Sequence, residues 1–192
     1  MIQARVIIAL LTTLIFIQGY TQETYVVDSH EIVIYGNSNI QSWSADVEDL
    51  SGTFILHIEE GKITDIENVD IRMEGESIQG SEGRRMNNKI YETLDTDNHP
   101  EISFLLRDVL SLAENPGTAI VSARGVITVA GVSRVVEMNT TGQLLSNGRV
   151  VFEGKQDLKM SDFRMDPPRA MFGALRTRDE VEVEYRVVLR PE

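Results

Sequence analysis

The chain has 192 residues, with 18 lysines and arginines against 30 aspartates and glutamates, for a formal charge of −12. Its 42% hydrophobic and 25% charged residues are the mix of a globular protein, and its length suffices for one domain with a core of its own. The absence of cysteine excludes disulfides, iron–sulfur clusters, thiolate zinc sites, a cysteine nucleophile and a lipidated cysteine, and the acidic balance argues against nucleic acid and against electrostatic adhesion to an anionic membrane.

Residues 1–22 carry one charge, Arg5, followed by an apolar run over 6–17 broken only by Thr12 and Thr13. Roughly a dozen apolar residues behind a basic one is signal-peptide length, whereas a membrane span needs about 20. The expectation is a leader over 1–22, cleaved near Gly19 or Thr21, and a periplasmic or secreted protein. The mature part, 23–192, then forms one domain without a transmembrane segment.

From there the chain alternates. Val69-Asp70-Ile71-Arg72-Met73-Glu74 switches between apolar and charged without a break, as does 181–187. A period of two puts the apolar side chains on one sheet face and the charges on the other. Similar runs occupy 31–35, 43–47, 53–58, 102–106, 120–129, 135–144 and 150–158. Compact turn signals separate them: Glu60-Gly61, Asn115-Pro116-Gly117, Ala130-Gly131 and Ser146-Asn147-Gly148. The stretch 75–80 reads as a strand end and loop. One segment departs from the rule: Met86, Ile90 and Leu94 recur at i, i+4, i+8, which predicts one short helix over 84–94.

About nine strand patterns without intervening helices point to an all-β antiparallel meander. Each strand has one dry face, so the sheet must close into a barrel or fold into a sandwich. One parity of each strand then faces inward. That set is Trp43, Ala45 and Val47 near the start, then Val69, Ile71 and Met73, then Ile102, Phe104 and Leu106. In the last strand it is Val181, Val183, Tyr185, Val187 and Leu189, and the helix adds Met86, Ile90 and Leu94. These are core positions by default and a ligand wall by hypothesis.

Catalytic and metal chemistry find little support. His30, His57 and His99 have no metal-ligand spacing. There is no G-x-S-x-G elbow, no Walker loop and no G-x-G-x-x-G. Carboxylate pairs such as Glu59-Glu60 and Asp179-Glu180 read as a solvated acidic face. The expectation is a non-enzyme with no metal and no required cofactor. Trp43, the only tryptophan, reads as a core residue or as a pore wall.

Several stretches, in order, resemble the YceI-like family of polyisoprenoid-binding, lipocalin-like periplasmic proteins. They are Tyr25-Val26-Val27-Asp28 with Gly36-Asn37-Ser38-Asn39-Ile40-Gln41-Ser42-Trp43, Ser51-Gly52-Thr53-Phe54, and Arg85 to Leu94 followed by His99-Pro100-Glu101-Ile102-Ser103-Phe104. Then come Arg124-Gly125-Val126-Ile127-Thr128-Val129-Ala130-Gly131-Val132-Ser133, Met160-Ser161-Asp162-Phe163 and the closing 170–181. The resemblance implies an eight-stranded lipocalin-like β-barrel with an elongated apolar pore. It implies an isoprenoid or other long-chain apolar lipid, such as a quinone tail or polyprenyl chain, as ligand and partner, for carriage, storage or sequestration. The expected pore wall is Trp43, Val69, Ile71, Met73, Met86, Ile90, Leu94, Ile102, Phe104, Leu106, Val183, Tyr185 and Val187. A homodimer is compatible with the sequence. The alternatives are an envelope interaction or stress-related domain with a filled core, and a lipid-modifying enzyme.

Overall fold

Alternating side chains dictate a sheet, and the computed structural model, which describes residues 22–115 and 117–192, consists mainly of one. The expected leader lies outside the described residues except for Gln22, where the first strand begins. In chain order the elements are β1 (Gln22–Ser38), β2 (Ser42–Val47), β3 (Ser51–Glu59), β4 (Lys62–Glu74), β5 (Ile78–Gly80), α1 (Arg84–Leu94) and β6 (Glu101–Asn115). They continue with β7 (Thr118–Val129), β8 (Val132–Leu144), β9 (Val150–Lys159), β10 (Arg169–Ala170) and β11 (Leu175–Pro191).

Eight strands close antiparallel into a barrel: β1, β3, β4, β6, β7, β8, β9 and β11, in that order round the wall. The seam is β1 on β11, which runs from Tyr25 opposite Pro191 to Ser38 opposite Thr177. Closure removes the free edges an open sheet would present. On its other side β1 is shared: its first half pairs with β3 and its second half with β2. β5 extends this corner by pairing with β2, Ala45 opposite Gly80. All nine expected runs are strands. β5 and β10 were not expected, since three and two residues carry no period; β5, inside the stretch read as loop, is fixed by its partner β2.

Two hairpins turn on two residues. Glu60-Gly61 (φ 49° and 77°) joins β3 to β4, and Ala130-Gly131 (φ 48° and 70°) joins β7 to β8. Positive φ at both central positions is the turn whose twist matches that of the strands.

α1 spans the expected residues and ends at Asp95, which adopts a left-handed conformation (φ 54°). Polar contacts clasp it to the segment before it. The Gly80 N–H donates to Asn87 Oδ1 at 2.8 Å, Gln79 Nε2 donates to the Tyr91 hydroxyl at 2.8 Å, and that hydroxyl donates to the Glu76 carbonyl at 2.8 Å.

Core and lumen divide the interior. Tyr25, Leu56, Ile63, Ala119, Val150 and Leu189 are buried and fill the end near the β3–β4 and β8–β9 turns. Phe54 and Phe152 stack above them, ring centroids 5.9 Å apart, and form the floor of the open part.

Candidate functional site

Above that floor the barrel encloses a cavity of about 750 Å³ with an almost wholly apolar lining. This lies within the range of about 300–1,000 Å³ typical of small-molecule sites. All thirteen residues of the expected pore wall line it. β2 contributes Trp43; β4 contributes Val69, Ile71 and Met73; β6 contributes Ile102, Phe104 and Leu106; β11 contributes Val183, Tyr185 and Val187; α1 contributes Met86, Ile90 and Leu94. Ala45, Val47 and Val181 join them, whereas Leu189 belongs to the packed end.

The lining extends past that set. Val121, Ala123, Ile127 and Val129 of β7 and Phe152, Gln156 and Leu158 of β9 face the lumen, a parity that was legible in the alternation of those two runs. Val109 of β6 was not legible. Strict alternation after Leu106 would turn Asp108 inward, but bulges between Leu106 and Asp108 and between Val109 and Ser111 re-aim the strand. Val109 and Leu112 therefore point to the interior.

What keeps the lumen open is a set of glycines lying under large side chains. A Cβ on Gly36 would fall within the Trp43 indole, its partner directly across β1 and β2. A Cβ on Gly125 would meet the Phe104 ring. On Gly154 it would lie 2.5 Å from the Tyr185 hydroxyl, and on Gly142 2.8 Å from Phe152. On Gly80 it would come within 2.5 Å of Met86. Each ring lies against bare backbone along the wall, as aromatic side chains do over strand glycines. An eight-stranded barrel is barely wider than its own side chains, so a ring seated over a glycine leaves more of the interior free than the same ring over a larger residue would.

Polar groups inside are few. The Thr140 hydroxyl donates to the Glu153 carbonyl at 3.0 Å, and Gln156 Nε2 donates to the Asp157 carbonyl at 3.0 Å. Trp43 Nε1 and the Tyr185 hydroxyl are buried without a hydrogen-bond partner among the described residues. Burial pushes the Tyr185 phenol up from its ordinary pKa, with Thr140 opposing.

Among the described residues, the charged groups of the lining are Glu82, Arg85 and Lys89 of the α1 region with Lys159 and Arg169, at the mouth. The three histidines are apart: His30 Nε2 lies 3.1 Å from the Val47 carbonyl, His57 3.3 Å from Glu67, and the His99 ring against Gly131. Among the described residues no group of three or more histidine, aspartate or glutamate side chains is placed to hold a metal ion. No helix among them is long and apolar enough to cross a membrane. The arrangement has the room and the apolar lining to take up an apolar chain.

The sequence model of the YceI-like domain matches residues 25–189. No curated protein sequence matches the chain significantly. Among solved structures, a polyisoprenoid binding domain from Saccharophagus degradans superposes with a TM-score of 0.66 at 13% identity, covering 88% of this chain and 98% of that one. BcnA of Burkholderia cenocepacia gives 0.63 at 15% identity, covering 83% and 95%. The Campylobacter jejuni YCEI protein gives 0.57 at 15%, covering 77% and 84%. At these identities the structural matches show the shared barrel.

Proposed function

Because this chain belongs to the YceI-like domain family, we propose that it is an exported, non-enzymatic binding protein. It holds an isoprenoid or polyprenyl chain in the barrel, for carriage, storage or sequestration. The observation that carries this reading is the 750 Å³ apolar cavity, along whose wall Trp43, Phe104 and Tyr185 pack against strand glycines. Each CH₂ taken from water into such a lining contributes about 0.8 kcal/mol, offset by the cost of ordering a flexible chain. A domain with a filled core would not maintain that space. The name of the Saccharophagus degradans domain supports the same class of ligand.

Native mass spectrometry of the protein isolated from its own cells tests the reading. A co-purified prenyl lipid is expected, and protein that carries none and takes up no polyprenol or quinone would overturn it. Export rests on Arg5 and the apolar run over 6–17. N-terminal sequencing of envelope material should find a start between residues 20 and 23, and an intact Met1 in the cytoplasm would contradict it.

A further inference from the structure

A carrier must exchange its lipid with something, and the mouth of this barrel differs from the rest of its surface. Three hydrogen bonds tie the β1–β2 turn to the loop before β11. The Asn39 N–H donates to the Arg176 carbonyl at 3.0 Å, Asn39 Nδ2 donates to the Ala174 carbonyl at 2.9 Å, and the Arg176 N–H donates to Asn39 Oδ1 at 2.8 Å. The neighbours of these bonds, Ser38, Gln41, Leu175 and Thr177, line the cavity. Each tied loop puts a large apolar side chain into water: Ile40 is 61% exposed and Phe172 is fully exposed. Phe172 also holds φ 54° and ψ 31°, a left-handed conformation that bulky residues rarely adopt. Strain together with complete exposure brings an aromatic residue nothing in a protein surrounded only by water.

The charge on the same rim is on balance cationic, although the whole chain carries −12. Arg85, Lys159 and Arg169 line the mouth, and Arg164 and Arg176 line a shallow depression beside it. None of these five forms an ion pair among the described residues; Arg84, Arg107, Arg134, Arg178 and Arg186 are unpaired as well, so what sets the rim apart is that its unpaired cations are gathered in one place. Of the carboxylates lining the mouth and the depression, Glu92 pairs with Lys89 at 2.6 Å, while Glu82, Asp95 and Asp166 keep their charge, so the two linings hold six cations against four carboxylates. Total charge, which argued against membrane adhesion, hides this separation: what a surface feels within a Debye length of about 8–10 Å is the local set.

We propose that the mouth is a docking face for an anionic lipid bilayer. Ile40 and Phe172 enter the headgroup–acyl boundary, and the unpaired cations meet lipid phosphates. Docked in this way, the mouth opens onto the membrane and a prenyl chain passes between bilayer and lumen without crossing water. The proposal rests on the carrier reading and adds the partner from which the carrier loads.

Vesicle flotation tests it. The protein as isolated from its producing cells is mixed with phosphatidylcholine vesicles or with phosphatidylcholine vesicles containing phosphatidylglycerol. Salt is set at roughly 0.05 M and then about 0.5 M, which shortens the screening length severalfold. The expected result is binding that needs phosphatidylglycerol, falls at the higher salt, and drops about fivefold or more in an Ile40→Ser/Phe172→Asn variant. Asparagine tolerates the left-handed conformation, so the variant keeps its fold, which near-ultraviolet circular dichroism verifies. Binding that ignores lipid charge, salt or the two substitutions overturns the proposal, as does no binding at all. In parallel, wild type and variant are offered a polyprenol in detergent. Equal capture by both confines a failed flotation result to the docking face, and capture by neither removes the carrier reading itself.

Discussion

The close approach of the Trp43 indole to Gly36 makes Gly36→Ala the most informative single substitution. The added Cβ would lie 2.8 Å from Trp43 Cη2 and closer still to two other atoms of the indole, with no backbone atom among those three nearest contacts. Carbon atoms rest about 3.5–4.0 Å apart, so the ring must retreat by roughly 1 Å at its farthest contact and by more at the others. It has only the lumen or the mouth to move into. Overpacking of this kind costs about 1–3 kcal/mol, and replacing a strand glycine returns about 0.5–1 kcal/mol. The net expectation is a loss of up to about 2.5 kcal/mol, centred on about 1 kcal/mol, together with a narrower pore. Trp43 is the only tryptophan, so its emission reports the movement directly. The variant should show a shifted emission maximum, a lower denaturation midpoint at an unchanged denaturant slope, and weaker capture of a prenyl lipid. An unchanged emission spectrum with unchanged stability would refute the claim that the indole lies over Gly36.

Three further outcomes follow from the same geometry. Phe104→Glu places a carboxylate in an apolar lumen, where an unpaired charge is costly, and a folded variant should lose prenyl-lipid capture in native mass spectrometry; unchanged affinity would move the ligand out of the pore. Burial, reinforced by a 3.1 Å hydrogen bond to Glu23, pushes the Tyr25 phenol up to about 12. Because the unfolded chain ionises near 10 while the folded one does not, stability is full below pH 10 and falls between pH 10 and 12, and Tyr25→Phe should flatten that decline in pH-dependent urea titrations. The Ser161 N–H and hydroxyl donate to Asp179 at 2.8 and 2.5 Å and hold its carboxyl below the usual range. That contribution is present above the ordinary carboxylate pKa and is lost as pH falls through the depressed value, so at neutral pH Ser161→Ala should lower the thermal midpoint by about 2–4 °C, and a smaller difference is expected in strong acid.

Much of this architecture was written in local periodicity. The 181–187 alternation named the inward set of β11, and the Met86, Ile90, Leu94 stripe named both the helix and its lumen face, because each rests on the spacing of one element alone. Local pattern failed where a partner strand decides. β5 exists through Ala45 opposite Gly80, and the inward turn of Val109 depends on bulges that no composition signals. The glycines under the rings escaped for the same reason: Gly154 lies beneath Tyr185 only once register places them opposite. The cationic rim was equally hidden, since its members come from α1, the end of β9 and the segment over 164–176.

The seam between β1 and β11 bears on the order of folding. Tyr25 lies opposite Pro191, so nearly the whole described chain must be looped out before that pairing forms. Loop-closure entropy grows slowly, about 0.6 kcal/mol per doubling of length, yet it is incurred before any seam contact can compensate. Topologies built on such distant pairings fold in milliseconds to seconds, far slower than helical bundles. Until the seam closes, β1 and β11 are open edges and the lumen has no wall on that side. The container therefore exists only once both of its outer strands have been made and have met.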